Sequence, residues 1–299
     1  MAAHLGVSRA AVWKQIEALR ASGYEIEAST RKGYRMSAKP DLLDADLILS
    51  GLETKWLGKN LLCFCEVDST NAVAASMAQK ADNGTVILAE RQTQGKGRMA
   101  RSWASPQGGI WMSIILKPDM PLADAYRLNM IASIALARAF FGLYGLSAGI
   151  KWPNDLLIGD QKICGILMEI NAEVDRLNYV IMGIGINANI DVSGFPEEWR
   201  STSLWHEMKR KIMRVELIQR ILQEMEELYE RMGSKEIYEE WRGRSITLGR
   251  QVRITSINGD LFGEAMDLEE DGALIIKTEN DLMRVLAGDC IHLRSVENT

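Results

Sequence analysis

The chain has 299 residues, enough for more than one hydrophobic core, and its 35 Lys and Arg against 40 Asp and Glu leave a formal net charge of −5. That balance excludes a global pull toward nucleic acid, so any such binding has to come from a local patch. Hydrophobic residues at 47% and charged residues at 25% are those of an ordinary soluble protein, and the longest apolar runs, such as 110–116, are far too short to span a membrane.

Residues 2–36 have a logic of their own. Ala2 to Leu5 reads as a helix, Gly6-Val7 as a tight turn, and Ser8 as the N-cap of a second helix running to Ser22, with Val12, Ile16 and Leu19 on one face and Gly23 as its stop. Residues 24–28 and 33–36 then form a short hairpin whose tip, Ser29-Thr30-Arg31-Lys32, is basic. A helix-turn-helix followed by a basic hairpin is the pattern of a winged-helix DNA reader, with Ser8, Arg9 and Lys14 facing the major groove and Arg31 and Lys32 a phosphate or the minor groove. Residues 1–40 carry +4 and the remainder −9, a local basic patch on an acidic protein. The alternative is a helical hairpin that only packs on the main domain. The expectation is a partial DNA-binding domain over 1–40, its first helix missing and its recognition helix short of cover.

Residues 37–46 read as a linker and 47–59 as a helical entry into a larger domain, expected to span 41–244. Leu61 to Val67 is strand-like and runs into Asp68-Ser69-Thr70-Asn71, where Ser69 or Thr70 is expected to cap a helix over 72–80; the same groups would also suit a small polar ligand. A strand from Thr85 to Glu90 feeds Gly95-Lys96-Gly97-Arg98-Met99-Ala100-Arg101-Ser102-Trp103. This is the pattern of a mobile anion-binding loop: glycines let backbone N–H groups approach a phosphate, Lys96, Arg98 and Arg101 supply charge, and Trp103 offers a face to a base. A dinucleotide turn is excluded, because Pro106, Gly108, Gly109 and a buried strand over 110–116 follow and leave no helix N-terminus for a pyrophosphate. A solvated, merely charged turn is the plainer alternative.

Leu122 to Gly145 reads as a long buried helix. Lys151-Trp152-Pro153-Asn154-Asp155 joins a buried Trp and a fixed Pro to two polar groups that bond the backbone or a ligand, although Asx-turns explain Asn154 and Asp155 singly. A hairpin over 161–169 and 179–189 follows, with Lys162 at the mouth of an apolar strand and Gly165, Gly183 and Gly185 marking close approach of a ligand or another backbone. Residues 190–213 are irregular, 214–232 form an amphipathic helix, and from 245 onward short alternating strands predict a small antiparallel barrel, 245–299. Cys63, Cys65, Cys164 and Cys290 lack paired spacing and read as buried free thiols in a reducing cytoplasm. His4, His206 and His292 have no partners at ligand spacing, which argues against a protein metal site or a His-based triad.

Ser69-Thr70-Asn71, the 95–103 loop, Lys151 to Asp155, and Lys162-x-x-Gly165-Ile166-Leu167 with Gly183-x-Gly185-Ile186-Asn187 together resemble biotin protein ligases of the bifunctional biotin operon repressor type. The resemblance covers nearly the whole chain. It implies an α+β protein with a winged helix-turn-helix, a central mixed-sheet domain like that of class II synthetases, and an SH3-like C-terminal barrel. It also implies a reaction in which biotin and ATP give biotinyl-5′-AMP, from which a lysine of a biotin carboxyl carrier protein takes the biotin. On the biotin side it places Ser69, Thr70, Asn71 and Gln92, with Lys96, Gly97 and Arg98 on the tail and adenylate, and Lys162 between carboxylate and phosphate; Lys162 and Arg98 are the catalytic pair. Trp103 is implied beside the adenine, with Arg101, Asn154, Asp155 and Asn187 on the ATP side and Mg²⁺ arriving with ATP. The chain departs from the family in Lys96, where Arg is usual, and Ala100, where Gly is common; Lys keeps charge and backbone, so the expected effect is modest. Implied partners are the carrier protein, biotin operator DNA and a second copy in a ligand-induced homodimer, in the cytoplasm. A lipoate or octanoate ligase shares the core but generally lacks the DNA reader and this loop, and a purely sensing transcription factor would need neither the loop nor Lys162.

Overall fold

The computed structural model describes residues 2–21, 25–29, 33–38, 41–173, 176–256 and 259–293. The chain divides into two compact units, Met1–Leu42 and Leu43–Thr299.

In the first unit, helices α1 (Ala2–Leu5) and α2 (Arg9–Ala21) precede an antiparallel hairpin of β1 (Glu25–Ser29) and β2 (Gly33–Ala38). Ser8 caps α2, its hydroxyl accepting the Ala11 N–H at 3.1 Å. Val12 and Ile16 are buried with Ile26 in a small core that Ala2 and Tyr34 complete. Leu19, expected on that buried stripe, is 37% exposed instead, because the hairpin's apolar cover reaches only the earlier turns of the helix. Arg9 and Lys14 are exposed. Arg31, Lys32 and the expected stop at Gly23 lie outside the described residues.

The second unit opens with α3 (Ala45–Ser50), which occupies only the start of the expected helical entry and is capped by Asp44 accepting the Leu47 N–H at 3.0 Å. Next come β3 (Leu61–Val67), α4 (Thr70–Met77), β4 (Thr85–Gln92), β5 (Ile110–Leu116), α5 (Tyr126–Tyr144), β6 (Gly149–Lys151), β7 (Asp155–Ile158), β8 (Gln161–Glu173) and β9 (Arg176–Ile186). Their strands form a seven-stranded sheet in the order β3-β4-β5-β9-β8-β7-β6, in which only the β3–β4 pair is parallel. β5 is buried at every residue because both faces of the sheet are covered. Met112 and Ile114 face the large core built with α5, whereas Ile115 joins Ala74 and Ala78 of the α4 segment on the opposite face. Helices α6 (Leu204–Met208), α7 (Arg214–Glu230) and α8 (Lys235–Gly243) follow, and Leu217, Ile218, Ile221, Leu222 and Met225 of α7 bury its apolar stripe in the large core.

Finally β10 (Gln251–Ser256), β11 (Gly259–Leu268), β12 (Leu274–Lys277), β13 (Leu282–Val285) and β14 (Asp289–His292) form an antiparallel sheet in the order β13-β12-β11-β10-β14. Its inner residues Val252, Ile254, Leu268 and Ile276 share the large core. Trp152 ties the two sheets together: its N–H donates to Thr247 Oγ1 and its indole Nε1 to the Gly272 carbonyl, both at 2.9 Å. Of the cysteines expected to be buried, Cys164 and Cys290 are, Cys63 is only half-buried, and Cys65 is exposed because β3 is an edge strand paired only with β4. Among the described residues no helix is long and apolar enough to cross a membrane.

Candidate active site

The site lies on the face of the seven-stranded sheet that also carries α4, and register dictates its floor. Directly opposed residues on neighbouring strands share a face, so Trp111, Gly185, Gly165, Asp155 and Lys151 form one row across β5, β9, β8, β7 and β6. Ser113, Gly183 and Leu167 form the next. The three glycines leave room for side chains that reach in from above: a Cβ at Gly183 would collide with the Asn71 amide, and one at Gly185 would stand 2.7 Å from Trp103 Nε1. The close approach expected from the glycines is thus made by the protein's own side chains.

One end of this floor is a polar cradle. The side-chain oxygen of Gln92 accepts the Thr70 N–H at 2.8 Å and the Thr70 hydroxyl at 3.0 Å. Ser113 Oγ lies 2.7 Å from Thr70 Oγ1 and 2.6 Å from Asn71 Oδ1, while Asn71 Nδ2 donates to Glu169 at 2.7 Å. Ser69 sits at the N-cap position of α4 but makes no capping hydrogen bond, a correction to the expected cap. Gln92, arriving from β4, satisfies the first helical N–H in its place, and the buried Ser69 hydroxyl lines the cavity.

The anion loop closes the top. It is a short hairpin in which Gly97 N–H donates to Arg101 O at 2.7 Å and Trp103 N–H to Gly95 O at 2.8 Å. Its tip is a tight turn with Met99 and Ala100 both in the left-handed region, at φ 53° and 56°. Arg98 bridges Asn154 Oδ1 and the Gly288 carbonyl, each at 3.0 Å, and Arg101 meets Asp289 at 2.6 Å. The Trp103 indole lies over Gly165 and Gly185.

Lys162 stands between floor and loop. Its Nζ is 2.7 Å from Asp155 Oδ1 and 4.9 Å from the Trp103 ring centroid, within cation–π reach. Its backbone is fixed from outside the sheet by Lys162 N–H to Arg200 O at 2.7 Å and Thr202 N–H to Lys162 O at 2.9 Å. Asn154 and Asp155 are therefore not simple Asx-turn residues: Asn154 holds Arg98 and donates to the Ile166 carbonyl, and Asp155 holds Lys162. Asn187 lines the same space, but its amide nitrogen donates to Thr202 O at 2.9 Å, which leaves only its oxygen side for a ligand.

The biotin and ATP residues read from the sequence all line one cavity of about 430 Å³. Sequence reasoning assigned no site role to Ser113, Glu169, Lys151 or the segment Asp289 to His292, although Lys151, Asp289 and His292 also line the cavity. Ser113 had a signal, as the one polar residue of an otherwise apolar strand; Glu169 and Asp289 had none, because only cross-strand pairing and the third sheet bring them near. His292 is pushed down to about 4 by burial first, with Lys151 and Arg250 adding to it.

Comparison with known proteins places this geometry. Residues 63–187 match the Biotin/lipoate A/B protein ligase family, 1–35 an HTH domain, and 247–293 the Biotin protein ligase C terminal domain. Over 292 residues the chain is 40% identical to the bifunctional ligase/repressor BirA of Bacillus subtilis, covering 95% of this chain and 90% of that protein. The chain belongs to the biotin protein ligase family. Its identity to the bifunctional ligase/repressor BirA of Escherichia coli is 28% over 98% of this chain and 91% of that protein. Among solved structures, the biotin protein ligase of Aquifex aeolicus in complex with biotin and ATP superposes with a TM-score of 0.67 at 28% identity, covering 79% of this chain and all of that one. The family match spans the strands and loops that build the floor, the cradle and the anion loop of this ligase.

Proposed function

We propose that this ligase joins biotin to ATP as biotinyl-5′-AMP, passes the biotin to a lysine of a biotin carrier protein, and represses transcription through its N-terminal unit. The observation that carries the catalytic part is the meeting of a neutral polar cradle, a cationic loop and Lys162 in one cavity. The ureido ring of biotin fits the cradle of Ser69, Thr70, Asn71 and Gln92, and its aliphatic tail the Trp111 and Gly185 floor. The carboxylate then reaches Lys162, and Arg98 and Lys96 close over the adenylate with Trp103 beside them; Arg101, Asn154, Asp155 and the Asn187 oxygen serve the ATP side.

A carboxylate oxygen attacks the α-phosphorus as the bond to the β-phosphate breaks and pyrophosphate leaves. The amine of the carrier lysine then attacks the acyl carbon, the acyl–oxygen bond breaks, AMP leaves and the amine loses a proton. Two anions must be brought together in the first step, so positioning and fixed positive charge from Lys162 and Arg98 supply most of the rate. Asp155, Asp160 and Asp289 already hold Lys162, Arg250 and Arg101. Mg²⁺ therefore fits as an ion carried in on the ATP phosphates, where it neutralises their charge.

In the first unit, Ser8, Arg9 and Lys14 at the start of α2 suit a major-groove contact with operator DNA, and Arg31 and Lys32 a backbone contact. A ligand-induced homodimer in the cytoplasm would present two such readers to a palindrome. The test of the enzymatic reading is exchange of labelled pyrophosphate into ATP. Exchange that requires biotin is expected; exchange driven by lipoate or octanoate and not by biotin would overturn it.

A further inference from the structure

The anion loop does not hold itself shut. Its tip places Met99 and Ala100, both with a Cβ, in the left-handed backbone region that glycine alone adopts freely. Met99 is 55% exposed, so its side chain gains little burial in return. Among the described residues the backbone hydrogen bonds within the loop are few: Gly97 N–H to Arg101 O, Arg101 N–H to Arg98 O across the tip, and Trp103 N–H to Gly95 O. Arg98 and Arg101 send three side-chain hydrogen bonds out of the loop, one to Asn154 and two to one turn of the C-terminal sheet: Arg98 Nη2 on the Gly288 carbonyl at 3.0 Å and Arg101 Nη2 on Asp289 Oδ2 at 2.6 Å.

That turn is a firm plate. Asp289 pairs with Thr255 of β10, and a Cβ on Gly288 would stand 2.5 Å from the Ile254 Cγ2 methyl, whose residue is 1% exposed. The tether itself is light, with the Arg101 side chain 61% and the Asp289 side chain 27% exposed. An ion pair that open to water is individually weak, as a catch that must release once per turnover has to be.

We propose that Gly288-Asp289 is the latch of the anion loop, with Asp289 a positioning residue that acts through Arg101 and sets how long the activated adenylate stays bound. The proposal rests on the ligase reading of the cavity and gives the C-terminal sheet a part in it. Loosening the latch leaves the floor, the cradle and Lys162 in place, so formation of the adenylate suffers less than its retention.

Two measurements test this, the first independent of any chemistry. Without biotin or ATP, trypsin cleavage after Lys96, Arg98 and Arg101, followed by mass spectrometry, should quicken by about threefold to tenfold in Asp289→Ala, the range expected for loss of one half-exposed ion pair from a strained loop. Asp289→Glu should restore resistance, and Asp289→Asn, which keeps shape and loses charge, should fall between. With biotin and MgATP loaded, the lifetime of the adenylate on Asp289→Ala should shorten by a similar factor, a larger fall than that in the rate of pyrophosphate exchange. Unchanged cleavage in both Asp289→Ala and Asp289→Asn overturns the tether. Faster cleavage with an unchanged adenylate lifetime overturns its role in retention. A wild-type protein that makes no adenylate would sink the ligase reading, and the protease arm would still decide whether the loop is latched.

Discussion

Replacing Lys162 by Ala gives the sharpest test of the chemistry. The ammonium is 2.7 Å from Asp155 and lies over Trp103, with the two paired side chains 28% and 20% exposed. Its loss has a structural part and a catalytic part, and they differ in size. Structurally, the pair keeps some access to water and is worth about 1 kcal/mol, so the melting temperature should fall by about 2–4 °C. Catalytically, in the proposed reaction the missing charge is one of those that would face the phosphoryl transition state, and removing one such donor costs about 2.7–4 kcal/mol, or about 10²–10³ in rate. Quenched-flow measurement of biotinyl-AMP from labelled ATP should therefore show a fall of at least about a hundredfold, with biotin affinity by calorimetry held within about threefold. The double variant Lys162→Ala with Asp155→Asn removes the orphaned carboxylate; it should recover the melting temperature and leave the rate low. Adenylate formation within threefold of wild type would refute the role given to Lys162.

Arg98→Gly removes the guanidinium that bridges Asn154 and Gly288; the expected outcome is escape of the reactive anhydride, read as biotin on bystander lysines at about tenfold or more above wild type. Gly183→Ala pushes a methyl into the Asn71 amide, and since that amide is held by Ser113 and Glu169, biotin affinity should fall by about tenfold and the melting temperature by several degrees, at the ~1–3 kcal/mol that overpacking costs. His292 titrates near 4 in the folded protein, below its ordinary value, mainly through burial. Its contribution to stability is therefore complete above about pH 6.5 and is lost as pH falls from there toward 4, at about 1.4 kcal/mol per unit. Denaturant unfolding between pH 7 and 4 should show that slope, and His292→Gln should flatten it.

Motifs that gather chemistry within a few residues were legible in the sequence, because local spacing fixed them: the cationic loop, Lys151 to Asp155, and Lys162 ahead of an apolar strand. The meaning of the glycines was only half legible. That Gly165, Gly183 and Gly185 form a floor follows from the β8–β9 register, and that the floor receives Trp103 and Asn71 follows from where the loop and α4 sit. Ser69 misled because a hydroxyl before a helix is ordinarily its cap; here Gln92, at the end of the neighbouring strand β4, takes the N–H. Leu19 misled in the opposite direction, since helical spacing shows which residues share a face and says nothing about how far the covering element extends. Neither Glu169 nor Asp289 was legible at all, as each meets its partner only through tertiary contact.

The two hydrogen bonds that Trp152 sends into the last fifty residues bear on how the ligase melts. Cutting the chain near 245 would strip Thr247 from the Trp152 backbone N–H and Gly272 from its buried indole, and uncover the face that Ile254, Leu268 and Ile276 fill. The shortened protein would expose an apolar surface and orphan the turn that carries Asn154 and Asp155. The C-terminal sheet is then no detachable module, and everything from Leu43 onward should unfold as a single cooperative block, giving one calorimetric transition in which the catalytic cavity and the third sheet are lost together.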